Sequence, residues 1–189
     1  MSDKSDKKRL EKVKLGLALI FLGLILVLGG GNYLKQSASS DTFAKEPVKV
    51  EGFAENSSES EKAPQRIIIP EAKIDLEVKQ AKNVNGYWEV FPDSAGWGEG
   101  SGLPGETGNQ VIFAHARRGL FASLRDVRVG TRIYVIAKNN WYLYEAKEVK
   151  EVFPNQVEVI APTSDESLTL YTCSGFADSK RFIVVAKRV

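Results

Sequence analysis

One cysteine and one histidine, Cys173 and His115, stand in the whole 189-residue chain. A thiolate is a nucleophile for acyl transfer, and an imidazole can take its proton and return it, so this pair is enough for covalent catalysis. A free thiol with a pKa of about 8.5 is only a few per cent ionised at neutral pH, so it needs such a base. Arg181, eight residues after the cysteine, is permanently charged and can donate to a carbonyl or an oxyanion. Each of the three meets a strand-like run: Val111–Ala114 precedes His115, Leu168–Thr172 precedes Cys173, and Arg181 opens Arg181–Ala186. Strand ends hold side chains on a rigid frame at a rim, where chemistry is commonly placed. A lone thiol also fits a buried small hydrophobe, and a lone histidine a satisfied polar residue. The same counts exclude an intramolecular disulfide, a Cys/His zinc site and a Cys-x-x-Cys-His haem attachment. No metal or cofactor is expected.

The elements that must carry these residues are mainly β. Arg66–Pro70 and Ile74–Val78 read as short strands, the second alternating Ile74, Leu76 and Val78. Asn85-Gly86 is a hairpin signal before the aromatic run Tyr87–Phe91. Glycines at 96, 98, 100, 102, 105 and 108 mark a loop; no phosphate-binding pattern is present, since neither glycine motif stands before a helix. Gln110–Ala114 is an apolar strand. Leu120, Phe121, Leu124 and Val127 are spaced as one short helix within Gly119–Val127. Thr131–Ala137 and Trp141–Lys150 flank Asn139-Asn140 as a second hairpin, and Val157–Ile160 reads as a short strand. Ser167–Thr172 and Arg181–Ala186 complete the pattern, which suits a barrel or a sandwich.

Charge divides the chain further. Net charge is +2, too small for nucleic-acid binding as the main business. Residues 1–14 hold six basic and three acidic side chains, so the basic excess lies wholly there. Leu15–Gly31 (LGLALIFLGLILVLGGG) is free of charge, and Val13 and Tyr33-Leu34 extend it toward bilayer length. The basic flank orients the tail to the cytoplasm and the rest of the chain outside. A cleaved signal peptide ending near Ser37–Ser39 is the competing reading, against which the length of the apolar run counts. Residues 35–65 are rich in Ser, Glu and Lys and read as a flexible stalk. The expected order is a cytoplasmic tail (1–14), a membrane helix (15–34), a stalk (35–65) and a folded domain (66–189).

Thr169-Leu170-Tyr171-Thr172-Cys173 resembles the Thr-Leu-x-Thr-Cys signature of the sortases. His115, closing Asn109–Ala114, matches the family's catalytic histidine at a strand end upstream. Arg181, in Lys180–Val185, matches its essential arginine. The resemblance covers residues 66–189 and the tail–anchor–stalk layout, closest to the anchored class A, D and E types. It implies an eight-stranded β-barrel with short helices. It implies a cysteine transpeptidase that cuts a C-terminal sorting signal, commonly of Leu-Pro-x-Thr-Gly type, and passes the acyl group to a cell-wall precursor or another amine. His115, Cys173 and Arg181 would then be catalytic. Phe153–Ser167 corresponds to the loop that shapes the signal groove, with Val157, Val159, Ile160 and Pro162 as its apolar wall and Thr172 as a substrate contact. The turn Ser174–Ser179 is short beside the best-known housekeeping sortases, and no C-terminal membrane segment of the pilin-polymerising type is seen. Partners would be secreted proteins bearing the signal, an amine acceptor and, through residues 15–34, membrane lipid.

Rival readings are separable. The L,D-transpeptidase pattern Ser-His-Gly-Cys-x-x-Arg is not met around Cys173, and papain-like enzymes place Cys before His. Leu103–Gly108 (LPGETG) mimics a sorting signal with one residue too many and reads as a loop. The non-enzymatic alternative is a membrane-tethered β-barrel adhesin or adaptor with Cys173 buried.

Overall fold

The computed structural model describes residues 62–138 and 140–189. The expected tail and anchor, and the stalk up to residue 61, lie outside the described residues. Among the described residues, no helix is long and apolar enough to cross a membrane.

Ten strands follow in order: β1 (Pro64–Ile69), β2 (Ile74–Ala81), β3 (Asn83–Val84), β4 (Tyr87–Trp88), β5 (Ala95–Gly98), β6 (Gly108–Phe113), β7 (Arg132–Ala137), β8 (Asn140–Val152), β9 (Glu166–Ser174) and β10 (Lys180–Arg188). Eight of them close into a barrel in the order β1-β2-β5-β6-β9-β10-β8-β7, and β3-β4 is a separate hairpin. Closure leaves no sheet edge to pair with another chain. The first strand begins two residues ahead of the expected domain start at Arg66. At the β3-β4 turn Asn85 (φ 55°) and Gly86 (φ 83°) are both left-handed, the backbone that an Asn-Gly hairpin requires.

Alternation along each strand divides the apolar residues into two clusters. Ile67, Ile69, Trp97, Ile112, Ile133, Val135, Leu168, Leu170 and Val184 fill the barrel. Val111, Phe113, Tyr171, Cys173 and Ile183 face the other way and pack with Ala81, Trp88, Val152 and Ile160. Residues 167–174 of β9 are buried throughout, so both faces of this strand are covered.

Two local expectations change and a third is made more specific. β5 was read as part of a glycine loop but pairs parallel with β2 and antiparallel with β6. Its glycines permit close approach: a Cβ on Gly98 would stand 2.4 Å from the Trp88 ring. Phe121–Asp126 is the expected short helix, in the 3₁₀ form. Phe121, Leu124 and Val127 are buried at a three-residue interval, which matches three residues per turn. Val157–Ile160 is also a 3₁₀ turn instead of a strand, because it lies in the β8–β9 crossover without a strand partner.

Candidate active site

Cys173 and Arg181 meet by register. β9 and β10 run antiparallel with Cys173 directly opposite Arg181, and residues so placed carry their side chains on one face. Cys173 is 3% exposed and Arg181 6%. A guanidinium this deeply buried must be held by acceptors. Its Nη1 donates to the Asp178 carbonyl at 2.8 Å and to the Lys180 carbonyl at 3.0 Å. Its Nε is buried with no hydrogen-bond partner among the described residues. One strong donor beside the sulfur is therefore unspent.

The turn that joins the two strands is sharp. Gly175 (φ 76°), Ala177 (φ 51°) and Asp178 (φ 59°) are all left-handed, a conformation that disfavours residues with a Cβ. The Asp178 carbonyl offered to Arg181 belongs to one of these strained residues.

His115 arrives from β6, which runs parallel to β9 with Phe113 beside Tyr171. Continued two residues, that register brings His115 level with Cys173, on the same alternation as Val111 and Phe113. His115 is half-buried, and its carbonyl accepts the Phe121 amide at 3.0 Å, so the following 3₁₀ turn fastens its backbone. The Thr172 hydroxyl donates to the Ala114 carbonyl at 2.7 Å. Thr172 is fully buried on the barrel side of β9, so its side chain ties the His115 segment to β9.

Burial pushes the Cys173 thiol up to about 12; the Arg181 charge pulls it down and the Asp178 carboxylate adds to the rise. The resting sulfur is accordingly a neutral thiol at physiological pH. Beneath it, Trp88 stacks on Phe113 (5.7 Å between centroids) and Phe113 on Tyr171 (5.1 Å). These rings exclude water from the floor of the site.

A shallow apolar groove borders Arg181. Tyr171, Ile183 and Val152 form its barrel side, and Phe153, Pro154, Gln156, Val157, Val159 and Ile160 its other side. Val157, Val159 and Ile160 thus lie in one wall. Pro162 is exposed and outside the lining. Lys180 Nζ sits 5.9 Å above the Phe153 ring and 3.5 Å from Glu151, bracing the open end. Phe153 opens the stretch that the sequence assigned to the groove, but sequence reasoning missed Val152 and Tyr171 as lining residues, and it missed Asn109, whose amide bonds this wall to the sheet. The available signal was an Asn-Gln pair opening an otherwise apolar strand. Among the described residues, no group of three or more His, Cys, Asp or Glu side chains gathers to hold a metal.

Comparison with known proteins agrees with this geometry. Sortase A of Bacillus anthracis is 28% identical over 131 residues, which is 66% of this chain and 59% of that protein. Sortase A of Listeria monocytogenes is 33% identical over 84 residues, 42% of this chain and 38% of that protein. The chain therefore spans less than two thirds of the length of either relative. Among solved structures, sortase A from Corynebacterium diphtheriae superposes with a TM-score of 0.57 at 29% identity, covering 67% of this chain and 60% of that one. Sortase C from Streptococcus pneumoniae shares the fold at a TM-score of 0.61 and 24% identity, covering 79% and 84%. The family model for the sortase domain matches residues 67–189. Because that match reaches every strand of the barrel and takes in Cys173, Arg181 and His115 together, the chain belongs to the sortase family.

Proposed function

We propose that this protein is a membrane-anchored cysteine transpeptidase that cleaves a C-terminal sorting signal of Leu-Pro-x-Thr-Gly type and transfers the acyl group to a cell-envelope amine. The observation that carries the reading is the cross-strand pair: a buried thiol opposite a buried guanidinium whose Nε has no partner.

On this reading His115 takes the Cys173 proton as the sulfur attacks the carbonyl carbon of the signal threonine. The carbonyl oxygen becomes an oxyanion and accepts a hydrogen bond from Arg181 Nε. His115 returns the proton to the departing glycine amine, which leaves a thioester on Cys173. An incoming amine loses its proton to His115, attacks the thioester carbonyl and displaces the thiolate, which recovers the proton. One amide is exchanged for another and no oxidant or cofactor enters. The apolar groove suits the leucine and proline of the signal, with Val157, Val159 and Ile160 against them. Residues 15–34 hold the enzyme in the membrane with the barrel outside, where secreted substrates and envelope amines meet it.

The alternative, an adhesin or adaptor barrel with an inert thiol, draws on the 3% exposure of Cys173. Membranes carrying the full-length protein, incubated with a fluorogenic Leu-Pro-x-Thr-Gly peptide and an amine, separate the two. Amide product, with a peptide-sized mass added to Cys173 on quenching, is expected. An unmodified Cys173 and intact peptide over prolonged incubation would favour the adaptor.

A further inference from the structure

The wall formed by Val157–Ile160 has a difficulty that the rest of the barrel does not. It is a connection without a strand partner, so its backbone carbonyls have no ladder to enter, yet Ile160 is buried and Val159 half-buried. Buried carbonyls need donors. Asn109, 2% exposed at the start of β6, supplies them. Its Nδ2 donates to the Val159 carbonyl at 3.2 Å and to the Ala161 carbonyl at 3.1 Å, using both amide hydrogens. Its Oδ1 accepts the Thr169 hydroxyl at 2.8 Å. Thr169, 1% exposed, also lies 3.4 Å from the Val159 carbonyl. Ala161 stands in extended backbone (ψ 152°) before Pro162, which disfavours a helical residue there. Pro162 thus presents the Ala161 carbonyl to Asn109 without touching the groove.

We infer that Asn109, oriented by Thr169, is a positioning residue that fastens the groove wall to the strand bearing Cys173 and so sets the register in which a peptide lies against the sulfur. The inference deepens the transpeptidase reading and rests on it for its kinetic part. Asn suits the place uniquely among small polar residues, because it offers two donors and one acceptor in a fixed plane. Aspartate would set a carboxylate against two carbonyls, and leucine would leave all three partners unpaired. The first threonine of the Thr-Leu-x-Thr-Cys run then has a task separate from that of the second, which binds Ala114.

The test compares Asn109→Ala, Thr169→Val and Thr169→Ser with wild type in the full-length protein. Peptide kinetics of Asn109→Ala should show KM raised roughly tenfold with kcat within about threefold, since Cys173 and Arg181 stay on their strands. Thr169→Val should raise KM less, and Thr169→Ser, which keeps the hydroxyl, should recover most of that loss. Amide hydrogen exchange provides the arm independent of activity. Exchange over 157–161 should quicken in Asn109→Ala while β9 and β10 stay protected; Thr169→Val covers the case in which Asn109→Ala does not fold. Unchanged exchange over 157–161 in a folded variant overturns the inference, as does a fall confined to kcat. A wild type that turns over no peptide counts against the transpeptidase reading alone, and the exchange result still decides the role of Asn109.

Discussion

The two sides of the groove are built on different principles. Tyr171 and Ile183 belong to β9 and β10, which pair along their whole length, and both are almost fully buried. Facing them, Phe153 is 58% and Val157 44% exposed, on a connection whose order comes from side chains. Gln156 Oε1 accepts the Phe153 amide at 2.8 Å, and Asn109 holds the far end. A ladder fixes atoms to the precision that bond making needs. A connection pinned at two points can change its sequence without disturbing that ladder. On the proposed reading, the comparison assigns chemistry to the sheet and recognition to the crossover.

Substitutions on the sheet side should therefore stop the reaction, and those on the crossover side should shift substrate preference. The largest effect is expected from Cys173→Ala: no acyl-enzyme by mass spectrometry and no product, with the melting curve close to wild type. Residual transpeptidation by the alanine variant would remove the sheet side from the chemistry.

Next comes Arg181. Arg181→Ala should lower kcat/KM by about 10²–10³, the usual loss for one oxyanion donor, and Arg181→Lys should recover only part of it because the planar fork is gone. Steady-state kinetics with a thermal melt tests this; a folded alanine variant with near-normal turnover would leave a Cys–His pair working alone.

The raised thiol makes a prediction about pH. Alkylation of Cys173 by iodoacetamide should climb about tenfold per pH unit without a plateau up to pH 10, as expected below a pKa near 12. Asp178→Asn removes a carboxylate that favours the neutral thiol and should speed alkylation at fixed pH, while asparagine tolerates the left-handed backbone. A plateau near pH 8.5 contradicts the burial argument. Folding is linked to the same group: the thiol's contribution is full below its ordinary value of 9.0 and is lost as pH rises from there toward 12, because only the unfolded chain ionises readily in that window.

The smallest effect is expected on the crossover. Val157→Ala should reduce kcat/KM about threefold to fivefold, since two methyl groups are worth about 0.8 kcal/mol each when buried and this side chain is nearly half exposed. Selectivity among peptides varied at the leucine position should change more than kcat. A hundredfold loss would place catalytic geometry on the crossover and erase the distinction between the two sides.

How far the sequence carried this picture depends on the kind of contact. Strands marked by alternation, such as β2, or by a continuous apolar run, such as β1 and β10, were legible, as was the turn at Asn85-Gly86. β5 was not, because its glycines answer to the Trp88 and Phe113 rings, whose approach no local pattern announces. Val157–Ile160 looked like a strand because it is β-branched, yet it has no neighbour to pair with. Cys173 and Arg181 could be named from residue type and motif; their facing register needed the barrel. The hydrogen bond of Thr172 to the Ala114 carbonyl had no local signal, because it depends on the pairing of β6 with β9. Asn109 carried no chemical signal of its own, since its meaning lies in carbonyls fifty residues away.

β10 is the last strand along the described chain, and it lies in the closed ring between β8 and β9. The ring cannot close until this strand has been synthesised and threaded. The sulfur and the guanidinium thus come to face each other in the same event that completes the barrel. A chain that stopped short of β10 would carry the thiol with neither Arg181 opposite it nor Ile183 in the groove.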